Sequence, residues 1–584
     1  MIRTTLFRSV TIATGLAISA IGLLAQEPAE VLETTRKIAD KIIRETSFET
    51  QLVPLAFNGG ITRFTIDHTT LLGNDQAYYA YGRLESEKET SGLLGLSFKG
   101  QIKLYLNGSE ILSESSEELH IQEYTYNRYR FQKRIPVQWK AGENEVLVKC
   151  SGGPVSLLML PIDKLDAKEA FVNALPVSET TPNTHWLING PWVTAKGNAI
   201  DHHFPPESGF RTFYQQGDQP VGWVTEEVPM LRELIIPETN SYLRDAYSDW
   251  HYANGGTMLG ILSLYEASGD EDYYEFVKQF AQTLVGNDSY FNWQYFTHHA
   301  MRGSYHRLYR MTMLDDSGGP AIPFSQLQVM EPESKVLQPI LSRVFEYVIN
   351  GQERLEDQTF SRPEPEPATV WADDLFMSVP FLLRMAIIKG DETLYDEVAR
   401  QVIQFNHYLS DPSTDLYFHG WYNNRGETTP VRWGRANGWI VWATSEALLH
   451  MPEKHPQYKT ILKIYKQHME SLATYQDKSG MWHQVLDHPE TFEESSCTAM
   501  FTLGLARGVR HGWLKKTYRE QALLGWNALQ NKIGEDGTVI DICRGTGIGD
   551  DVDFYENRKR FDHDPRGLGA MLTAGCEVYE LLNQ

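Results

Sequence analysis

The chain has 584 residues, of which 41% are hydrophobic and 22% charged, and its formal net charge is -23. This length suits two or three domains better than one small core. The composition is that of an ordinary globular protein, and the strong negative charge argues against nucleic acid as a partner.

The N-terminal segment predicts an exported protein. Arg3 and Arg8 precede an apolar run from Ser9 to Leu24, which ends in the small residue Ala25. This is the pattern of a secretory signal peptide over residues 1–25. No later stretch reaches the roughly 20 apolar residues that a membrane-spanning helix needs. We therefore expect a periplasmic or secreted protein without a membrane span.

Short strands are predicted after one isolated helix. Residues 26–50 contain an amphipathic helix at Val31–Glu45. Residues 51–165 consist of short alternating runs, and Asn107-Gly108 is a strong hairpin signal because both residues of a type I′ turn need positive φ. This pattern predicts a jelly-roll-like β-sandwich, which either binds sugar or only braces its neighbour. Residues 166–240 are expected to connect it to the next domain.

Residues 241–584 predict repeated helical hairpins. Tyr274, Tyr395, Tyr458 and Tyr518 follow similar helix connections and stand 121, 63 and 60 residues apart, so that one unit is about 60 residues. The units supply six first helices but five second ones. The helix in residues 26–50 can be the missing partner, which would close an (α/α)6 barrel around an inserted β domain. An open α-solenoid is the competing architecture, but it leaves that helix unexplained.

The segments before the six first helices should meet at one end of such a barrel. The positive ends of the helix dipoles, which lie at the helix N-termini, would favour an anionic ligand there. The segments are Ser248–Gly256, Met313–Gly319, Val370–Met377, Arg432–Trp439, Phe492–Met500 and Phe561–Gly569.

Each polar or aromatic residue in these segments also has a purely structural interpretation. The aspartates can be N-caps and the tryptophans can be core packing. Two pairs of adjacent acids favour a functional site, because only one acid of a pair can hold a cap. Together with Arg435 and His419, they fit a sugar subsite. The acids are Asp315, Asp316, Asp373, Asp374 and Asp564, and the tryptophans are Trp250, Trp371, Trp433 and Trp439.

Neither a metal site nor a cofactor is expected. The histidines show no HExxH or comparable ligand spacing, and Gly545–Asp551 lacks the strand and helix that a phosphate-binding loop requires. The four cysteines, Cys150, Cys497, Cys543 and Cys576, lack CxxC spacing and are expected to be buried thiols, with one late bridge possible.

Several motifs carry a resemblance to a known family. Trp371–Met377, which reads WADDLFM, and Trp433–Trp439, which reads WGRANGW, are the most specific. With these motifs the chain resembles glycoside hydrolase family 105, the unsaturated rhamnogalacturonyl and related uronyl hydrolases, and more distantly the unsaturated glucuronyl hydrolases of family 88. Supporting matches are Trp250–Tyr252, Gly255, His419–Trp421, Gly480–Gln484 and Glu494–Ser496.

The resemblance implies a reaction and a set of site residues. Asp373 matches the catalytic aspartate, and Asp316, in a D-x-G pattern, matches the second one. Asp373 is expected to act as both acid and base in hydrating the C4=C5 bond of a terminal unsaturated uronate on an acidic oligosaccharide, with its pKa raised by burial and by Asp316. The expected substrate-binding residues are Trp250, Tyr252, His419, Trp433, Arg435, Trp439, Trp482 and His483.

The chain departs from the family pattern at one place, and three other functions compete. Relatives often carry a histidine shortly before the W-x-D motif, whereas this chain has Ser361–Pro367 there. A polysaccharide lyase could use Tyr252 as its base beside Arg435, and an ordinary glycosidase would use two opposed carboxylates. A noncatalytic glycan-binding protein would use the sandwich as its binding face.

Overall fold

The computed structural model describes residues 27–54, 62–66, 76–86, 88–118, 122–125, 128–130, 132–151, 155–161, 185–193, 213–216, 219–227, 230–236, 246–298, 303–363 and 365–584. The expected signal peptide lies outside these residues. The chain divides into two compact units. The helical unit comprises Met1–Phe48, Ile235–Asn287 and Met311–Gln584, and the β unit comprises Glu49–Leu234 and Asp288–Arg310.

The β unit contains two larger antiparallel sheets. One has seven strands in the order β13-β14-β12-β3-β10-β5-β6, and the other has four in the order β2-β11-β4-β9. The strands are β1 (Thr50–Pro54), β2 (Thr62–Ile66), β3 (Gln76–Ser86), β4 (Thr90–Phe98), β5 (Gly100–Leu106), β6 (Ser109–Ser116), β7 (Gln122–Thr125), β8 (Arg128–Arg130), β9 (Lys133–Trp139), β10 (Gly142–Ser151), β11 (Val155–Pro161), β12 (His185–Val193), β13 (Phe213–Gln216), β14 (Gln219–Glu227) and β15 (Met230–Leu234).

The predicted hairpin is present, whereas the boundary at residue 165 differs. Asn107 and Gly108 have φ values of 51° and 80° and join the paired strands β5 and β6. Strands β12, β13 and β14 lie within residues 166–240, the expected connecting segment, yet they extend the seven-stranded sheet through the pairing of β12 with β3. Both sheets that a β-sandwich needs are therefore present, and the sandwich itself stays a prediction.

The helical unit consists of inner and outer helices in alternation. The inner helices are α2 (Tyr252–Ser268), α5 (Gly318–Met330), α7 (Asp373–Lys389), α9 (Gly434–His450), α11 (Ser495–Arg510) and α14 (Pro565–Leu582). The outer helices are α1 (Pro28–Arg44), α3 (Glu271–His298), α6 (Gln338–Glu346), α8 (Thr393–Leu409), α10 (Tyr458–Thr474) and α12 (Arg519–Gln530). The remaining short elements are α4 (His306–Arg310), α13 (Val552–Glu556), β16 (Thr369–Trp371), β17 (Gly420–Tyr422), β18 (Glu427–Thr428), β19 (Ile542–Cys543) and β20 (Arg560–Phe561).

The inner helices form a closed ring. Each contacts the next in chain order, and α14 packs against both α11 and α2. This is the (α/α)6 barrel that the repeat predicts. Gly269 and Gly390 end α2 and α7 in the left-handed conformation, with φ of 68° and 63°, so the connections at these two positions are as tight as the sequence suggests.

Helix α1 packs on the last inner helix, as the ring-closing arrangement requires. Val31, Ile38 and Ile42 are fully buried. Thr35 lies so close to Gly575 of α14 that a Cβ added at Gly575 would stand 2.0 Å from the Thr35 hydroxyl oxygen. Within the described residues, no helix combines the length and apolar character needed to cross a membrane. All four cysteines are buried free thiols.

Candidate active site

The beginnings of the inner helices define the mouth of the barrel, and three of them carry side-chain N-caps. His251, Glu494 and Asp564 accept hydrogen bonds from the first backbone amides of α2, α11 and α14. The capping interpretation is therefore correct for Asp564. It is wrong for the other four acids, because Asp373 and Asp374 lie inside the first turn of α7, and Asp315 and Asp316 lie in the 3-10 turn at Leu314–Asp316.

Asp373 is held by a histidine from another segment. Nε2 of His419, which precedes β17, lies 3.1 Å from Oδ2 of Asp373. The His419 side chain is fully buried, whereas that of Asp373 is 14% exposed. Burial alone would raise the pKa of Asp373, but the hydrogen bond and charge of His419, together with Arg362 and Arg435, lower it below the ordinary value. The expectation of a raised pKa is therefore wrong, because cationic and donor groups surround this carboxylate.

Tyr555 of α13 completes a chain of hydrogen bonds behind Asp373. Its phenol oxygen lies 2.8 Å from Nδ1 of His419 and accepts a hydrogen bond of 3.0 Å from the backbone N–H of Gly549. Sequence reasoning missed Tyr555, since no motif contains it and it lies 136 residues from His419. The chain Asp373–His419–Tyr555 therefore depends on the segment between β19 and β20.

Arg362 joins the two pairs of acids. Its Nε and Nη2 donate to Asp374 at 2.7 and 2.8 Å, and its Nη2 and Nη1 donate to Asp315 at 2.8 and 3.2 Å. The guanidinium also lies 4.5 Å from the ring centre of Trp371. Arg362 lies in the segment that departs from the family pattern. That departure is the sequence feature that could have drawn attention to Arg362.

Asp315 and its neighbour Asp316 differ in exposure and in their surroundings. Burial and the neighbouring carboxylates of Asp374 and Asp373 raise the pKa of Asp315 to about 6, against the opposing charge of Arg362. The Asp315 side chain is 21% exposed. Asp316 is 1% exposed, and its carboxylate accepts a hydrogen bond of 3.3 Å from Thr312. The predicted second aspartate, Asp316, is therefore almost fully buried, whereas part of the neighbouring Asp315 side chain is exposed.

Three of the tryptophans expected to bind sugar are core residues. Trp250 stacks on Phe324 at 5.5 Å and donates to the backbone oxygen of Asp316 at 2.7 Å. Trp439 packs between two other aromatic rings, and Trp482 donates to a backbone oxygen of α10. All three are at most 2% exposed, so a sugar ring could reach them only by displacing neighbours. Trp433 is also buried, but it contacts His419 at 4.6 Å between ring centres.

Arg435, which was expected to bind substrate, is almost fully buried. It is 2% exposed, and its terminal nitrogens donate to the backbone oxygens of Cys543 and Arg544, each at 2.6 Å, and to Ser496 at 3.2 Å. Glu494 lies 4.0 Å away. Arg435 therefore anchors the strand β19 to the mouth. It does not pair with Asp373, Asp374 or Asp316, the partners that a structural role was expected to use.

Tyr252 stands among the charged groups of the mouth. Its hydroxyl accepts a hydrogen bond of 3.1 Å from Nε of Arg566, whose guanidinium also binds Asp564. Burial and the charges of Asp315 and Asp373 raise the pKa of Tyr252, although Arg566 and Arg435 oppose them. Arg566, which sequence reasoning did not single out, is therefore a cation of this site.

A glycine-rich segment lies against the same residues. We call residues 544–550 the mouth loop. Gly547 lies near Trp371, and Ile548 lies so close to Gly420 that a Cβ there would stand 2.9 Å from it. The predicted substrate-binding residue His483 lies elsewhere, with its Nδ1 2.6 Å from the backbone oxygen of Thr491. Within the described residues, no contact joins His483 to Asp373. The mouth loop, rather than His483, therefore borders the predicted site.

Comparison with known proteins identifies the family. The family model described as Glycosyl Hydrolase Family 88 matches residues 235–582. An unsaturated rhamnogalacturonyl hydrolase, YesR of Bacillus subtilis, is 25% identical over 335 residues, which cover 56% of this chain and 89% of that protein. An unsaturated 3S-rhamnoglycuronyl hydrolase of Alteromonas is 24% identical over 394 residues, which cover 65% of this chain and 88% of that protein.

Solved structures show the same barrel. A family 105 glycoside hydrolase from C. acetobutylicum ATCC 824 superposes with a TM-score of 0.50 at 25% identity, covering 57% of this chain and 94% of that one. A possible family 105 member from Klebsiella pneumoniae superposes with a TM-score of 0.51 at 21% identity, covering 59% and 88%. The chain is therefore a glycoside hydrolase that belongs to glycosyl hydrolase family 88, and its fold and sequence are similar to those of the family 105 enzymes.

Proposed function

We propose that this enzyme removes a terminal 4,5-unsaturated uronic acid from oligosaccharides by hydrating its C4=C5 double bond. The observation that carries the proposal is the partly exposed Asp373 carboxylate, held at the barrel mouth by the buried His419. Two relatives are described as hydrolases of unsaturated rhamnogalacturonyl and 3S-rhamnoglycuronyl substrates. The substrate class is therefore an acidic oligosaccharide released by a polysaccharide lyase.

We assign the two proton transfers of the reaction to two different carboxylates. Hydration places a proton on C4 and a hydroxyl group on C5. Asp373, whose pKa is lowered, is ionised and accepts a proton from the water that attacks C5. We assign the proton that C4 receives to Asp315, whose side chain is 21% exposed and whose pKa is raised by burial and by the charges of Asp374 and Asp373. The resulting hemiketal opens by breaking the C5–O5 bond, and the hemiacetal left at C1 then releases the aglycone as an alcohol.

The lyase alternative is less compatible with this site. A tyrosine base must lose its proton before it can take one from the substrate, and the raised pKa of Tyr252 makes its phenolate scarce. Arg435, the cation that would neutralise the uronate, is bound to backbone oxygens of the segment around β19. Hydration requires neither residue to act as a base.

The test is turnover of lyase-generated oligosaccharides, followed by loss of the ultraviolet absorbance of the conjugated double bond. Asp373→Asn should lower kcat by about 100-fold or more, because the side chain keeps its shape but no longer accepts a proton. The matched control is Asp396→Asn, which alters an aspartate paired with His455 at 3.2 Å but 68% exposed on the surface. Near-normal kcat in a folded Asp373→Asn variant would refute the assignment. A gain of absorbance on intact polymer would instead indicate a lyase.

We also propose that residues 1–25 are a signal peptide and that the enzyme acts in the periplasm or outside the cell. The support is the sequence pattern of two arginines, an apolar run and a small residue. Expression with and without residues 1–25, followed by cell fractionation, tests it. The full chain should reach the exported fraction with a shortened N-terminus, and retention of residues 1–25 in the cytoplasm would contradict the proposal.

A further inference from the structure

One arginine is shared by two acids from different segments of the barrel mouth. The guanidinium of Arg362 donates two hydrogen bonds to Asp374, at 2.7 and 2.8 Å, and two to Asp315, at 2.8 and 3.2 Å. Asp374 belongs to the first turn of α7, and Asp315 to the 3-10 turn before α5. Arg362 and Asp374 are buried, whereas Asp315 is partly exposed. Two carboxylates therefore share one positive charge, and of these two only Asp315 is accessible from outside.

The backbone and an aromatic ring hold Arg362 in place. Arg362 and Thr369 exchange two backbone hydrogen bonds, of 2.8 and 2.9 Å, which tie Arg362 to strand β16. The guanidinium lies 4.5 Å from the ring centre of Trp371, the last residue of β16. An arginine with these fixed contacts is already oriented for both carboxylates and does not have to rearrange.

The charges around Asp315 act in opposite directions. Burial and the carboxylates of Asp374 and Asp373 raise the pKa of Asp315 to about 6. The charge and hydrogen bonds of Arg362 oppose this rise. Tyr252 of α2 also interacts electrostatically with Asp315. Because Asp374 binds the same guanidinium, it adds a negative charge near Asp315 and takes up part of the positive charge that favours the ionised form of Asp315.

We propose that Arg362 and Asp374 are positioning residues, which fix the Asp315 carboxyl group and keep on it the proton that C4 of the substrate receives. This inference rests on the proposed hydration, in which Asp315 is the assigned proton donor. Arg362 sets the direction of the carboxyl group through paired hydrogen bonds. Asp374 limits how far Arg362 can stabilise the ionised form of Asp315. Both positioning residues are buried, so they act through Asp315 and not on the substrate.

The test is the pH dependence of kcat/KM on an unsaturated uronyl disaccharide, whose upper limit reports the loss of the proton from Asp315. Asp374→Asn should lower this limit by about one pH unit, because a negative charge is lost and Arg362 is left to Asp315. Arg362→Gln should raise the limit by about one pH unit, because the cation that favours ionised Asp315 is lost. A loss of packing would not shift the limit in opposite directions in the two variants.

A conservative variant and a second buried arginine provide the controls. Arg362→Lys keeps the charge but cannot bind two carboxylates through paired hydrogen bonds, so kcat should fall by about tenfold while the upper limit stays within about half a pH unit of the wild type. Arg507, in the last turn of α11, likewise binds Glu446 at 3.0 Å and Glu577 at 2.7 Å. Arg507→Gln should lower the melting temperature and leave the pH profile unchanged.

A titration that does not need turnover separates this inference from the proposed function. The carboxyl-carbon NMR signal of Asp315, identified by its loss in Asp315→Asn, should show the same opposite shifts in Asp374→Asn and Arg362→Gln. Shifts in one direction, or an unmoved midpoint, would overturn the positioning role, and Asp374→Asn decides alone if Arg362→Gln does not fold. A wild type that consumes no unsaturated disaccharide but shows the opposite NMR shifts would refute the proposed function and leave the coupling of the three residues standing.

Discussion

The phenol oxygen of Tyr555 lies 2.8 Å from Nδ1 of His419, while Nε2 of the same ring lies 3.1 Å from Asp373. Tyr555 also accepts a hydrogen bond from the Gly549 N–H. Because the Asp373 carboxylate can only accept, the His419 tautomer that donates from Nε2 leaves Nδ1 to accept the hydrogen of the Tyr555 hydroxyl. We infer that Tyr555 is a positioning residue, which acts through His419 on Asp373, the catalytic residue of the proposed function.

Tyr555→Phe should lower kcat by about tenfold with little change in KM, because His419 can then adopt the tautomer that no longer donates to Asp373. The buried Gly549 N–H also loses its acceptor, so we expect a loss of about 1–3 kcal/mol in unfolding free energy. Tyr422→Phe is the control, since Tyr422 bonds to Asp550 at 3.4 Å instead. An unchanged kcat in Tyr555→Phe would contradict the role.

Asp315→Asn and Asp316→Asn should separate chemistry from packing. Asp315→Asn should lower kcat by about 100-fold or more, because the side chain no longer delivers a proton. Asp316→Asn should chiefly lower the melting temperature, since Asp316 is 1% exposed. Steady-state kinetics and thermal unfolding of both variants provide the measurements. Loss of turnover confined to Asp316→Asn would support the assignment made from the D-x-G pattern.

The pH dependence should follow the opposite pKa shifts of the two carboxylates. In the mechanism that we propose, turnover requires a protonated Asp315 and an ionised Asp373. As pH rises through about 6, Asp315 loses its proton and kcat/KM should fall. As pH decreases, Asp373 stays ionised below the ordinary aspartate range, because its pKa is lowered. A kcat/KM profile that keeps rising above about pH 7 would exclude Asp315 as the proton donor.

Arg435→Lys should destabilise the mouth rather than only weaken substrate binding. Lysine keeps the charge but cannot satisfy the backbone oxygens of Cys543 and Arg544 together with Ser496 in the same geometry. We expect a loss of about 1–3 kcal/mol in unfolding free energy, measured by denaturant titration, because buried backbone oxygens lose their donors. If Arg435 mainly bound the substrate carboxylate, the melting temperature would stay unchanged and KM alone would rise.

Gly575→Ala should destabilise the barrel through helix α1. The added methyl group would stand 2.0 Å from the Thr35 hydroxyl and 2.8 Å from Trp526, so we expect a cost of about 1–3 kcal/mol. Adding Thr35→Ala should recover part of this cost, because the hydroxyl and one methyl group leave. Strictly additive effects in this double-mutant cycle would show that α1 does not close the ring in solution.

The sequence alone was sufficient to predict the helical architecture. Repeated connections at Gly269 and Gly390 and an unpartnered helix at Val31–Glu45 predict six hairpins, since the hydrophobic period and the glycine C-caps are local properties. The motif around Asp373 likewise predicts the family, which the comparisons confirm. The predicted boundary of the β domain was less accurate, because its later strands join the sheet by long-range pairing with β3.

The tertiary structure decided which members of each motif reach the site. Adjacent residues of a 3-10 turn point about 120° apart, so the doublet Asp315-Asp316 cannot reveal which carboxylate is buried and which is partly exposed. Burial of Trp250, Trp439 and Trp482 depends on rings from other helices. Tyr555 meets His419 across 136 residues only because β19 and β20 return the chain to the mouth. The local sequence pattern specifies the helices and strands. The directions of the side chains and the long-range contacts determine which polar groups come together at the site.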